Sequence, residues 1–367
     1  MPVRISAVMI VRNEARVLDA CLASLARHVD ETVVVDTGSE DATREIARAH
    51  GARVFEIPWP DDFAAARNHS LDRATGDWLL WIDADDRLHV PDGVRTSDLL
   101  DQPGWAGATL TLDWRRGFTA GTELRLFRND PRIRFRGIIH ENIAGAVRAV
   151  CRSDGLTIGT TPLRLEHIGY EGDIAHKHRR NLALLRRAVE AEPEIPFYWA
   201  HLAETLAALG ETDEAIEAAR RGIDIARRLD VEVRRANGST AYYTLARLLG
   251  ARGEDVLPLV EEALASFPED CNLQFVRAWA LVQAGRHEEA VPILDRLCEG
   301  PPAEAMSYDR RIFGEFAQDQ RGVALMRLGR FAEAAEAFAA ASAAAPENLS
   351  YRAKAVAMRG RTARAKT

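Results

Sequence analysis

Trp78-Leu79-Leu80-Trp81-Ile82-Asp83-Ala84-Asp85-Asp86 decides how this chain is read. Five apolar residues describe a short strand covered on both faces, and three acids in four positions follow it at once. Acids crowded at a strand end are costly unless solvated or matched by a cation. A hard divalent ion bridging carboxylate and diphosphate oxygens is the simplest match. A solvated acidic turn capping a helix is the alternative.

Working outward, apolar runs at 5–11, 32–35 and 53–57 read as further buried strands. Helical spacing separates them at 15–28, 39–50 and 63–75, with Ser39 and Asp62 as expected N-caps. This alternation implies right-handed crossovers and an open, mostly parallel α/β sheet of Rossmann-like type. From 105 to 165 short strands and Gly/Pro turns suggest a mixed extension of that sheet. Ligands of such sheets sit beyond the carboxyl ends of the strands. There the first strand ends in Arg12-Asn13-Glu14, and the second in Asp36-Thr37-Gly38-Ser39-Glu40-Asp41-Ala42-Thr43.

After about Gly172 the chain becomes helical and rich in Ala and Arg. Gly210, Gly253, Gly285 and Gly329 each stand between two helical patterns, and an Ala follows five residues later at Ala215, Ala290 and Ala334. The pattern resembles the tetratricopeptide repeat, a helix–turn–helix of about 34 residues, and four imperfect copies are expected. The end of the chain carries Arg352, Lys354, Arg359, Arg361, Arg364 and Lys366 without an acid, and reads as a disordered tail.

Composition sets the bounds. The 367 residues carry 48 Lys+Arg, 55 Asp+Glu and a formal net charge of -7, and 47% are hydrophobic. That is ample core for two or three domains, with no basic excess to suggest nucleic acid as a partner. The 4 cysteines, Cys21, Cys151, Cys271 and Cys298, form no C-x-x-C pair, so a reducing cytoplasm is the expected home. No signal-peptide pattern opens the chain and no 18-residue apolar stretch occurs, so no integral membrane segment is expected.

The run from Ser6 to Asp86 resembles the nucleotide-sugar-binding half of family 2 glycosyltransferases, which have the GT-A fold. The shared residues are Asn13-Glu14, the Asp36-x-Gly38-Ser39-x-Asp41-x-Thr43 loop, Ala66-Arg67-Asn68, Thr75-Gly76-Asp77 and Asp83-Ala84-Asp85-Asp86. The later Glu123-Leu124-Arg125-Leu126-Phe127-Arg128 and Gly137-Ile138-Ile139-His140-Glu141 resemble a subgroup that carries C-terminal tetratricopeptide repeats. Some of its members glycosylate peptides, at oxygen or cysteine sulfur, and others decorate lipopolysaccharide cores. The layout this implies is a GT-A catalytic domain at 1–171, a linking helix at 172–192, helical repeats at 193–350 and a basic tail at 351–367.

The resemblance also implies roles. Asp36 would face the nucleobase, accepting a uracil N–H. Asp83 would approach the ribose or a metal, and Asp85 would ligate Mn²⁺ or Mg²⁺ holding the diphosphate of a UDP-sugar. Asp86 is a supporting acid or a helix cap. Arg67 would meet the diphosphate or pair with Glu14, and Asn13 and Glu14 would position the donor. Many members take their base from a Glu-Asp pair, where this chain has His140-Glu141-Asn142. Glu141 is the expected base, with His140 second and a helix-capping role for Glu141 the plain alternative. A free Glu has a pKa near 4.3, so a thiol acceptor, near 8.5, needs less help from it than an alcohol does. His167 is the expected histidine ligand of the metal, while His176 and His178 fall on a polar helix face. Trp59 and Trp114 are better read as packing than as pocket walls.

The expected activity is therefore inverting, metal-dependent transfer of a hexose or N-acetylhexosamine from a UDP-sugar to a peptide or protein acceptor. A lipopolysaccharide or other glycan acceptor is the alternative within the same class. The repeats would bind the acceptor or mediate self-association. A nucleotidyltransferase would need a Gly-rich basic loop after the first strand, and Arg12-Asn13-Glu14 stands there instead. A non-catalytic repeat scaffold with a vestigial sugar-nucleotide domain is the reading from another class.

Overall fold

The computed structural model describes residues 3–114, 116–169, 175–230, 238–302 and 308–364, with backbone alone at 175 and 176. Gly172 and Lys366 lie outside the described residues, as does the side chain of His176. Two compact units emerge, Met1–Ile174 and Ala175–Thr367.

The first unit is built on one eight-stranded sheet. Its strands are β1 (Ile5–Val11), β2 (Glu31–Asp36), β3 (Arg53–Glu56), β4 (Trp78–Trp81), β5 (Asp86–His89), β6 (Trp105–Asp113), β7 (Gly121–Arg128) and β8 (Thr157–His167). Their order is β3-β2-β1-β4-β7-β6-β8-β5. The half from β3 to β4 is parallel, as the alternation of strands and helices requires. Beyond it β7 runs antiparallel to β4 and β6, β8 runs parallel to β6, and β5 runs antiparallel to β8. The sheet is thus mixed, and the segment after 105 does extend it.

Alternate residues of β4 feed two cores. Trp78 and Leu80 join one with Met9 and Leu22, while Leu79 and Trp81 join the other with Phe127 and Val147. That is why the whole strand is apolar. Among the helices of this unit, α1 spans Leu18–Leu25, α2 Thr43–Ala49, α3 Phe63–Leu71, α4 Thr96–Leu100 and α5 Ala144–Asp154. Asp62 caps α3 as expected, accepting from the Ala65 amide at 2.8 Å. Ser39 does not cap α2, which begins four residues later; its hydroxyl accepts from the Asn13 amide instead.

The second unit is helical: α6 (Ala175–Ala191), α7 (Pro196–Ala208), α8 (Thr212–Arg227), α9 (Thr240–Ala251), α10 (Leu257–Ser266), α11 (Cys271–Gln283), α12 (His287–Cys298), α13 (Glu315–Arg327), α14 (Phe331–Ala344) and α15 (Leu349–Arg364). Gly210, Gly253, Gly285 and Gly329 turn α7 into α8, α9 into α10, α11 into α12 and α13 into α14, at φ of 84°, 77°, 76° and 75°. Glycine reaches that left-handed region without a Cβ clash, which is why the repeats could be aligned on it. The expected disordered tail is instead helix α15. Tyr351, Ala355 and Met358 recur at helical spacing and are buried, and Lys354 Nζ donates to Asp319 Oδ1 at 2.6 Å. The run of positive charge masked that apolar stripe. His178 is half-buried on α6.

Candidate active site

The loop after β2 is a set of stitches. Asp36 Oδ1 accepts from the amides of Gly38 at 3.0 Å and Ser39 at 2.8 Å, with Gly38 at a φ of 104° that suits glycine. Asn13, itself at a φ of 57°, accepts from the Glu40 amide, and the Glu14 amide donates to Thr43 Oγ1. Asp41 accepts from the amides of Ala15 and Thr43. The spaced motif thereby zips the ends of β1 and β2 together, and Asn13 and Glu14 take part through it. One atom is left over. Asp36 is 1% exposed, and its Oδ2 is buried without a hydrogen-bond partner. An orphaned buried carboxylate oxygen of this kind is open to a donor from a ligand or from water.

At the end of β4 the acids are arranged around two buried arginines. Arg67 donates through Nη2 to Asp83 Oδ1 at 2.8 Å and through Nε to Glu141 Oε1. Arg125 donates through Nε to Glu123 at 2.7 Å, and its Nη1 lies 3.3 Å from Asp86 Oδ2 and 3.6 Å from Asp83 Oδ2. Both guanidinium carbons stand over the Trp81 ring, at 4.6 Å and 3.5 Å. The stacking supplies part of what the buried charges lose on leaving water. Burial pushes the Asp83 carboxyl up, yet the Arg67 and Arg125 charges outweigh it and hold it well below the usual carboxylate range. Glu123 moves the other way, raised by burial against the pull of Arg125.

Asp86 and His167 are register partners on antiparallel β5 and β8, which brings together groups 81 positions apart. Asp86 begins a strand, so it is no helix cap. It is fully buried, with Oδ1 at 2.8 Å from His167 Nδ1 and Oδ2 accepting from the Asp83 amide at 3.0 Å. Asp85 Oδ1 lies 3.6 Å from the same imidazole nitrogen. Asp85, Asp86 and His167 offer donor atoms within 4.8 Å of one another, a set of carboxylates and imidazole suited to Mn²⁺ or Mg²⁺. Asp83 stands outside that group. Burial opposes the His167 charge, but its bond to Asp86 and the charges of Asp85, Asp86 and Asp83 raise its pKa. A Cβ on Gly169 would collide with Asp85 Oδ2 and come within 3.0 Å of His167 Nε2, so both groups crowd the face of that glycine.

Glu141 does not cap a helix; its carboxylate pairs with Arg67 Nε. His140, exposed at a φ of 52°, occupies the tip of the turn closed by the Arg136–Asn142 bridge. Asn68 is structural, exchanging hydrogen bonds with the backbone of Phe135. Trp114 packs on the core and Trp59 on Phe63. Burial raises the Cys21 thiol pKa, and Cys21 donates to the Asp83 carbonyl at 3.4 Å. Trp81, Glu123 and Arg125 stand in the stretches quoted above, but no site role was expected of them. Their signal was the charged pair Glu123 and Arg125 inside a strand pattern, two residues apart on one face.

The family model for Glycosyl transferase family 2 matches residues 6–137. Residues 6–137 thus form a family 2 glycosyltransferase domain. Asp36, Arg67, Asp83, Asp85, Asp86 and Arg125 fall inside the matched part of this glycosyltransferase domain, and Glu141 and His167 lie beyond it. Tetratricopeptide repeat models match residues 198–228 and 243–305. A tetratricopeptide-repeat-containing protein of Synechococcus elongatus is 35% identical over 229 residues, 60% of this chain and 56% of that protein. The SPbeta prophage-derived glycosyltransferase SunS of Bacillus subtilis is 26% identical over 225 residues, 59% of this chain and 52% of that protein. A PGL/p-HBAD biosynthesis glycosyltransferase of Mycobacterium bovis is 42% identical over 88 residues, 22% of this chain and 34% of that protein. The chain thus spans little more than half the length of the first two. Among the described residues no helix is long and apolar enough to cross a membrane.

Proposed function

We propose that this chain transfers a hexosyl or N-acetylhexosaminyl group from a UDP-sugar, with inversion, to a peptide or protein side chain. The observation that carries the reading is the unpartnered, buried Asp36 Oδ2, two strands from the acidic cluster at the carboxyl edge of one sheet. A uracil N–H is a donor of the right kind for that oxygen. Asp85 and His167 would hold Mn²⁺ or Mg²⁺, and a bound cation would neutralise charge on the UDP leaving group. His167 has Nδ1 on Asp86, so the nitrogen a cation would take is Nε2. Asp83, flanked by two arginines, is read as a ribose acceptor rather than a cation ligand.

Glu141 is the proposed base, its carboxylate oriented by Arg67, with His140 on the same turn as the alternative. In-line attack needs the acceptor atom fixed opposite the leaving group and its proton within hydrogen-bond reach of that base. The repeats are read as the acceptor-binding or self-associating surface. A cytoplasmic setting fits the free cysteines.

Thermal-shift titration with UDP-, GDP- and dTDP-sugars, with and without Mn²⁺, tests the donor. Stabilisation grows as RT ln(1 + [L]/Kd), so the matching donor stands out. A response to guanine or thymine donors and not to uridine would overturn the role given to Asp36. No response to any donor, together with no sugar release, would favour the scaffold. Transfer to glycans but not to peptides would move the acceptor to the alternative class.

A further inference from the structure

Arg125 is 2% exposed and touches four groups of the site: Glu123, Asp86, Asp83 and the Trp81 ring. Asp86, which is fully buried, spends one oxygen on His167 Nδ1 and the other on Arg125 and the Asp83 amide. One guanidinium therefore fixes both the acid that ends β4 and the acid that orients the imidazole. We propose that Arg125 is a positioning residue for a divalent-cation site made by Asp85 and His167, acting through Asp86. The proposal rests on the metal-dependent reading above.

The physical case is a contest between two effects of opposite sign. The charge of Arg125 repels an incoming cation, so its field alone would weaken binding. Its hydrogen bonds hold Asp86, and through the bond from Asp86 to Nδ1 they set the orientation of the His167 ring. Without it, Asp83 keeps Arg67 and Asp86 keeps His167, but buried Asp86 Oδ2 loses its guanidinium partner, which favours rearrangement of the cluster. A lysine at 125 retains the charge but cannot span two carboxylates with a planar fork while stacking on the indole. Arg125→Lys therefore separates geometry from charge.

The test is Mn²⁺ binding to the full chain without donor, read from the electron spin resonance of free Mn²⁺, alongside the melting temperature. Arg125→Lys and Asp86→Asn should each weaken Mn²⁺ roughly 10-fold or more, the range typical for outer partners of metal ligands. The double variant should be little worse than the weaker single one, because both act on one link. Unchanged or tighter binding by folded Arg125→Lys overturns the proposal while leaving the metal site standing. Absence of Mn²⁺ binding by the wild type defeats the metal-dependent reading itself. Should the variants not fold, nitrogen NMR of the wild-type imidazole with Cd²⁺ decides: Nε2 must be the ligand and Nδ1 the protonated nitrogen, and ligation through Nδ1 overturns the proposal.

Discussion

The two ends of the first unit's sheet are both polar, both carry residues of the family motif, and differ in one respect. At the amino end, Glu31 accepts from the Ser6 hydroxyl, the Thr75 amide and Arg53, Gly76 donates to Ser6 at 2.8 Å, and Asp77 accepts from the Arg4 amide at 2.9 Å. These carboxylates meet backbone amides, a hydroxyl and an arginine. At the carboxyl end, Asp36 leaves one buried oxygen unmatched, and Asp83, Asp85 and Asp86 crowd around two arginines and a histidine. Satisfied polar groups hold a fold together, whereas orphaned or like-charged buried groups persist where a ligand will complete them. The comparison can be broken by mutating each end and asking whether stability or chemistry suffers.

The largest effect is expected from Asp85→Ala. Loss of the cation's hold on the leaving group should lower sugar transfer by roughly 100-fold or more, since metal stabilisation of such charge is worth several kcal/mol. The melting temperature should stay near that of the wild type, because removing one acid relieves crowding. UDP release measured with saturating Mn²⁺ gives the rate; full activity in the variant would break the comparison at its stronger end. Chelation by EDTA should reproduce the loss in the wild type and leave the variant unchanged.

At the opposite end, Glu31→Gln should cost about 1–2 kcal/mol of stability at neutral pH and leave donor affinity alone. Burial pushes the Glu31 carboxyl up, but hydrogen bonds from Ser6, Thr75 and Arg53 bring it below its ordinary value. A carboxyl depressed in the folded state stabilises above its unfolded pKa, near 4.3, and loses that stabilisation as pH falls through the lower folded value. Urea titrations of both proteins should thus diverge at pH 7 and converge below about pH 4. A gap that widens in acid would reverse the sign argued here.

Asp36→Asn should be milder. Asparagine retains an oxygen for Gly38 and Ser39 but presents an NH₂ where Oδ2 stood, so calorimetric UDP affinity should fall about 10-fold, near 1.4 kcal/mol. Unchanged affinity would mean that the orphaned oxygen meets no ligand.

How much of this was legible beforehand follows from what holds each residue in place. The strand ends were readable because β1, β2 and β4 are parallel neighbours, so their carboxyl ends must meet. The turn glycines of the second unit were readable because their backbone angles exclude most other residues. Arg125 was not, because its contacts depend on β7 lying beside β4, a pairing with no local signal. The Asp86–His167 bond likewise depends on the register of β5 against β8. Ser39 was misread as a cap because its partner, the Asn13 amide, lies 26 positions away. Helix α15 hides its apolar stripe of Tyr351, Ala355 and Met358 within a run of positive charge.

The smallest expected effect is the most discriminating about motifs. Thr75-Gly76-Asp77 belongs to the residues shared with the family, yet Asp77 is exposed and its hydrogen bond runs to the Arg4 amide, at the end of the sheet away from the acids. Asp77→Ala removes one exposed hydrogen bond whose amide can turn to water, so the cost should be about 0.5–1 kcal/mol. Urea unfolding should register that loss, while UDP affinity and transfer rate stay within twofold of the wild type, about 0.4 kcal/mol. A rate loss with unchanged stability would mean that the amino end of the sheet communicates with the acids, and satisfied hydrogen bonding would no longer mark a purely structural role. The expected outcome ties Asp77 to the register of β1 against β4, which pairs Val8 with Trp81, while β1 against β2 pairs Val11 with Asp36.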